Sequence, residues 1–192
     1  VKWAAGWRPH TKHIIRGDMA IHQILTIPDQ RLRQKARPVK KIDKEIQILL
    51  DDMLETMRDA PGIGLAATQI GVGWRVIVLE LPEEEDDPLA GQPIFLVNPE
   101  LVSASGSEEA HEGCLSVPGY VGLVERATEV TVQGLDRRGR KVRIEATGLL
   151  ARAFQHEIDH LDGVLYVDRL SGPDKLFRLE EMEETGEETG EM

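Results

Sequence analysis

The sequence predicts an α+β domain, with mixed or antiparallel strands packed around a central helix. Two observations predict it. Strand-like runs cluster in the middle of the chain while helical periodicities stand near both ends, without the βαβ alternation of a doubly wound sheet. The later helix also carries His156-Glu157-Ile158-Asp159-His160, an H-E-x-x-H pattern, so the layer that packs on the strands is the one that bears chemistry.

Each element follows from its residues. Residues 1–18 hold Lys2, Arg8, Lys12 and Arg16, no acid before Asp18 and no clear hydrophobic period. A fresh pattern, Ala20-Ile21-His22-Gln23-Ile24-Leu25, follows Met19, so 1–18 reads as an added leader or upstream read-through, in preference to a basic targeting extension, and 19–172 as the main domain. Ile42, Ile46, Leu49, Leu50, Met53, Leu54 and Met57 fall at helical spacing and predict an amphipathic helix from about Asp43 to Arg58, ended by Pro61-Gly62. Trp74 to Leu79 is a buried-strand run. Residues 80–93, with five acids from Glu83 to Asp87, three prolines and Gly91, read as an exposed loop. Ile94 to Val97 is a short strand. Thr128–Leu135 and Lys141–Glu145 alternate apolar with polar around the turn Asp136-Arg137-Arg138-Gly139, which predicts a hairpin. Leu149, Leu150, Ala153, Phe154, Ile158 and Leu161 define the second helix, with Gly163 just past its end. Pro173 to about Glu184 reads as a short C-terminal helix, and the Glu-rich remainder of 173–192 as a solvated tail.

Composition narrows the class. The 192 residues carry a formal net charge of −11, which disfavours nonspecific binding to a polyanion, and no specific nucleic-acid partner is expected. No apolar run is long enough to span a bilayer, so no membrane partner is expected. Cys114 is the sole cysteine, which excludes an intrachain disulfide and fits a reducing, cytoplasmic setting.

On a helix, His156 and His160 lie one turn apart on one face, where both imidazoles can grip one divalent cation. Glu157 is beside them, placed to handle the proton of a metal-bound water. The pattern can also arise by chance on an amphipathic helix. A metal needs a third ligand, and Cys114 in Glu112-Gly113-Cys114-Leu115-Ser116 would complete a tetrahedral site with one open position. Alone, such a cysteine is usually a small buried hydrophobe, and Glu112 could be a solvated surface carboxylate. A third stretch, Gly62-Ile63-Gly64-Leu65-Ala66-Ala67-Thr68-Gln69, lets a ligand approach the backbone and offers the Gln69 amide to a carbonyl. It could equally be a Gly-rich packing turn, and it is not a phosphate loop.

Together, in this order and at these gaps, the three segments closely resemble the signature motifs of the peptide deformylases, and the resemblance runs from about Ile21 to Leu170. It implies the peptide deformylase fold and a hydrolase that removes the formyl group from N-terminal formylmethionine of nascent peptides, releasing formate. It implies Cys114, His156 and His160 as metal ligands, Glu157 as general base and acid, and Gln69 with the Leu115 N–H as oxyanion site. Fe2+ is the expected cofactor, with Zn2+, Ni2+ or Co2+ able to substitute; ligand chemistry alone would point to zinc. The peptide is expected to lie extended against Ile63, Gly64 and Gly113. By position, the methionine side chain would meet Ile63, Leu149 and Ala153, with the stem of Arg152 at the rim. Some members carry a long C-terminal helix that docks on the ribosome. The acidic tail here is poorly suited to RNA, so at most a transient ribosome contact is expected. Two rival readings are a zinc peptidase, which needs no cysteine ligand, and a non-catalytic metal-binding module, which needs neither Glu157 nor Gln69.

Overall fold

The computed structural model describes residues 14–16 and 19–180. The rest of the expected leader and the acidic tail from 181 onward lie outside the described residues. Ten strands and two α-helices form three antiparallel sheets among the described residues. A ribbon pairs β1 (Ile14–Arg16) with β2 (Met19–Ile21), so part of the expected leader joins the structure across Met19. The main sheet has the order β3 (Gly64–Ala66), β4 (Val76–Leu79), β5 (Ile94–Ser105), β8 (Glu129–Leu135), β9 (Lys141–Thr147). The third sheet has β7 (Tyr120–Arg126) between β6 (Glu108–Glu112) and β10 (Leu176–Arg178).

β4 sets the layering, because it is buried on both faces. Val76 and Val78 join the cluster around α1 (Lys44–Asp59), with Ile46, Leu50, Met53 and Met57. Ile77 and Leu79 join the cluster around α2 (Gly148–Leu161), with Leu150, Phe154 and Leu161. The period-2 alternation of one strand thus holds a helix on each side of the sheet. α1 begins where the sequence places it, because the Asp43 carboxylate accepts from the Glu45 and Ile46 N–H groups. The α2 end is fixed differently. Gly163 closes it at φ 76°, and a Cβ there would stand 2.5 Å from the Arg33 carbonyl oxygen. Thr68 Oγ1 donates to the His160 carbonyl at 3.1 Å, and the Ala36 N–H to that of Leu161 at 2.7 Å.

Three parts differ from the sequence reading. β5 runs on past Val97 to Ser105; its outer half is exposed on both faces and broken by register shifts, so it carries no alternation to read. β6, β7 and β3 are strands that no pattern announced; β6 is Glu-Glu-Ala-His-Glu, buried only at its last residue. Of the expected C-terminal helix, residues 173–178 are instead a 3-10 turn at Pro173–Lys175 followed by β10; Leu179 and Glu180 are helical, and 181–184 lie outside the described residues. The free edge of β7 takes that strand up, pairing Leu176 with Gly122 and Phe177 with Val121, and the Phe177 ring packs edge-on to His111 at 5.9 Å.

Asp43→Ala is expected to cost about 1 kcal/mol of stability by removing two backbone partners at the start of α1, with turnover unchanged. Urea unfolding of the variant checks it, and a midpoint equal to the parent's counts against the cap.

Candidate active site

α2 presents His156, Glu157 and His160 toward the turn after β6. That turn is held by the Val117 N–H on the Cys114 carbonyl at 2.9 Å and places the Cys114 thiol against the helix. Cys114 Sγ lies 3.2 Å from His160 Nε2, which lies 3.2 Å from His156 Nε2. The sulfur and both ring nitrogens fall within 4.8 Å of one another. One thiol and two imidazoles so converged form a donor set that fits a divalent ion.

His156 is oriented from behind. Its Nδ1 donates to Glu112 Oε2 at 3.0 Å, which turns Nε2 into the cluster. Glu112 has no exposed surface, so it is no surface carboxylate. Arg126 grips it with Nε at 2.8 Å and Nη2 at 2.9 Å, and Arg152 Nη1 adds a third donor at 3.0 Å. Burial alone would raise its pKa, but the Arg126 and His156 hydrogen bonds outweigh that and hold it far below the carboxylate range. Arg126 reaches on to Asp159 at 2.5 Å, and Arg169 closes the chain on Asp159.

Glu157 has the opposite environment. Burial pushes its pKa up to about 7, His156 opposes this, and the Glu112 and Asp159 charges add to the rise. A carboxyl group titrating there can both take and return a proton near neutrality. Its Oε2 is buried without a partner among the described residues, as is His160 Nδ1. β3 presses on it: a Cβ on Gly64 would stand 2.9 Å from Glu157 Cδ and closer still to Oε1.

Gln69 sits on the 3-10 turn Ala67–Ile70, almost wholly buried. Its Oε1 accepts from the Ala66 N–H at 2.8 Å, so its Nε2 is turned toward Ser116 Oγ at 3.2 Å and the Cys114 sulfur at 3.7 Å. Among the described residues the Leu115 N–H has no acceptor. Ile63, Gly64, Gln69, Gly113, Cys114, Leu115, Ala153, His156 and Glu157 together line one narrow cavity of about 20 Å³. That is room for a water-sized group. His160 stands directly behind it against Cys114. Leu149, expected beside Ile63 and Ala153, is partly buried and packs with Ile63 against the α2 core cluster that contains Ala153. The Arg152 guanidinium is buried on Glu112 and on main-chain carbonyls of β6 and β7.

The profile of the polypeptide deformylase family matches residues 21–176. The chain belongs to the polypeptide deformylase family. A peptide deformylase of Alkalilimnicola ehrlichii is 55% identical over 153 residues, covering 80% of this chain and 84% of that protein. The peptide deformylase of Ehrlichia chaffeensis, solved with actinonin, matches with a TM-score of 0.77 at 44% identity, covering 82% of this chain and 92% of its own. That of Acinetobacter baumannii, solved with Met-Ala-Ser bound, matches with a TM-score of 0.74 at 34% identity, covering 78% of this chain and 98% of its own. The fold is the α+β fold of this family, and the chain is a hydrolase that removes the N-formyl group of formylmethionyl peptides. The family is metal-dependent, and the Cys114–His156–His160 cluster can hold the metal.

Sequence reasoning left Glu112 open and missed Arg126 and Ser116. No local signal marks Arg126, which follows the exposed Glu125 at the end of β7 and is buried against its partners Glu112 and Asp159.

Gly64→Ala is expected to lower turnover about a hundredfold while the melting temperature moves by only a few degrees, because the added methyl displaces Glu157 rather than opening the core. Steady-state kinetics with thermal melting checks this, and full activity in the variant would show that Glu157 has room to move.

Proposed function

We propose that Cys114, His156 and His160 hold a divalent cation, Fe2+ in the working enzyme, with Zn2+, Ni2+ or Co2+ able to occupy the same ligands. The observation that carries this reading is the convergence of Sγ and two Nε2 atoms beside one cavity that the Glu157 and Gln69 side chains also line. Bound there, the cation supplies Lewis acidity for the formyl carbonyl and lowers the pKa of water.

The chain's own groups do the rest. Glu157 takes the proton of the attacking water and returns it to the departing amine, a task its raised pKa suits. The Gln69 amide and the Leu115 N–H receive the formyl oxygen as charge develops on it, and one such donor is worth ~3 kcal/mol of barrier. β3 and β6 are both edge strands, one in each sheet, and their ends at Gly64 and Gly113 stand on the same cavity. An extended peptide fits between them as an added strand, which explains tolerance of many sequences. The Acinetobacter baumannii relative was solved with Met-Ala-Ser bound, and a peptide of that length is short enough to lie there. Ile63, Leu149 and Ala153 supply apolar wall for the methionine side chain; Ile63 and Ala153 line the cavity, and Leu149 packs with Ile63 against the same α2 cluster.

The catalytic unit is 19–172, and it acts on nascent formylmethionyl peptides in the cytoplasm, with at most a transient ribosome contact and no sequence-specific nucleic-acid binding. No helix among the described residues is long and apolar enough to cross a membrane.

Two outcomes test the reading. Glu157→Ala keeps its metal and its fold and loses nearly all turnover; activity within a few-fold of the parent would move the proton role elsewhere. Apo-protein reloaded with Fe2+ is active toward formylmethionyl peptide but decays in air, whereas the Ni2+ form lasts much longer. Thiolate-bound Fe2+ and Cys114 itself are both oxidisable. Equal lifetimes in air for the two forms would count against an iron–thiolate site.

A further inference from the structure

β6 forms one wall of the substrate cleft; β7 pairs with it, and α2 holds it through His156 at Glu112 and through Arg152, the one α2 side chain that also bonds its main chain. Arg152 stands one turn before His156 and is nine-tenths buried. Its Nη2 donates to the Glu108 carbonyl at 3.0 Å. Its Nη1 donates to Glu112 Oε1 and the Val124 carbonyl, both at 3.0 Å, with the Ala110 carbonyl at 3.5 Å. Three of these acceptors are main-chain oxygens of the β6–β7 hairpin. The β6 residues concerned, Glu108, Ala110 and Glu112, alternate along the strand that leads into Gly113 and Cys114.

The chemistry at the cavity does not call for this guanidinium. His156 is oriented by Glu112, and Arg126 already grips Glu112 with two bonds. A well-packed apolar side chain would avoid the desolvation of a buried cation. What the arginine fork adds is a fixed offset between β6 and α2, enforced at the carbonyls of two strands.

We propose that Arg152 is a positioning residue for substrate: it sets the gap between β6 and β3 in which the peptide beyond the methionine is held. This rests on the strand-addition reading above. Bonds from β6 to the peptide main chain are made alike in the ground and transition states. A displaced β6 therefore raises KM and leaves kcat in place. A loss acting through Glu112 and His156 would instead lower kcat or the metal content.

The test uses the metal-loaded full chain with two substrates. Formylmethionine amide has no residue after the methionine, and formyl-Met-Ala-Ser has two. The parent enzyme is expected to show a lower KM for the longer substrate. In R152M the KM for formyl-Met-Ala-Ser rises about tenfold, while that for formylmethionine amide stays within about twofold and kcat on both within about threefold. Metal per chain is unchanged. R152K, with one donor group in place of the fork, gives a KM between the two and carries the test alone if R152M does not fold. If the parent itself gains nothing from the longer peptide, strand addition fails and the proposal falls with it. If the parent gains and the variant keeps the whole gain, only the role of Arg152 is overturned. Equal losses on both substrates, or lost metal with a lower kcat, overturn it too, since Arg152 would then act through Glu112 or on the fold.

Discussion

The structure turns on one carboxylate. Glu112 is wholly enclosed, and a buried charge is tolerated only when every lone pair has a donor. Arg126 from β7, Arg152 and His156 from α2 meet that condition, so two elements converge on one side chain of a third. Removing one partner of such a cluster typically costs about 3–5 kcal/mol, whereas an apolar replacement of the whole set can be neutral. Stability alone therefore does not account for it. The cluster fixes the ring orientation of His156, and through Asp159 it joins β7 to both ends of the H-E-x-x-H turn.

Rigid elements carry the rest of the site. The ligands come from α2 and from a turn 46 residues earlier in the chain, so neither segment forms the site alone. α2 is held along one face by the main sheet and at its end by Gly163, Thr68 and Ala36. The turn is held by β6, which hangs on β7 and on α2. The open edges of β3 and β6 are left flanking the cavity, a liability elsewhere in a fold but here the place where an extended chain can pair.

Legibility followed burial. α1 and the β8–β9 hairpin were readable to within a residue or two because each buries one face, and burial writes a period into the sequence. The outer half of β5 writes none, since Leu101 and Val102 are both exposed. β6 is held by side chains of other elements acting on Glu112 and on its carbonyls, which local pattern cannot show. β10 depends on a free edge of β7 that had itself gone unseen. At the site, chemistry fixed residue type and spacing, so Cys114, His156, Glu157, His160 and Gln69 were visible as motifs. Ile63, Leu149 and Ala153 were named by position under the resemblance, and all three pack in or against the α2 core cluster. Arg126 and Arg152 are single arginines with no spacing to mark them.

Glu157 shows what the fold gives up for this arrangement. Its carboxyl group is buried, bears two nearby carboxylates, lacks a partner at Oε2 and is pressed by the β3 backbone at Gly64. Each of these features opposes stability, and proteins seldom leave a buried polar atom unsatisfied. Glu112, at the end of β6, instead receives donors from Arg126, Arg152 and His156. The two carboxylates are thus pushed in opposite directions by design of their surroundings: one is locked as an anion to orient a ring, the other is left poised near neutrality with an oxygen free. A proton carrier needs that freedom, because a carboxylate already satisfied on both oxygens would have to break a bond before it could accept anything.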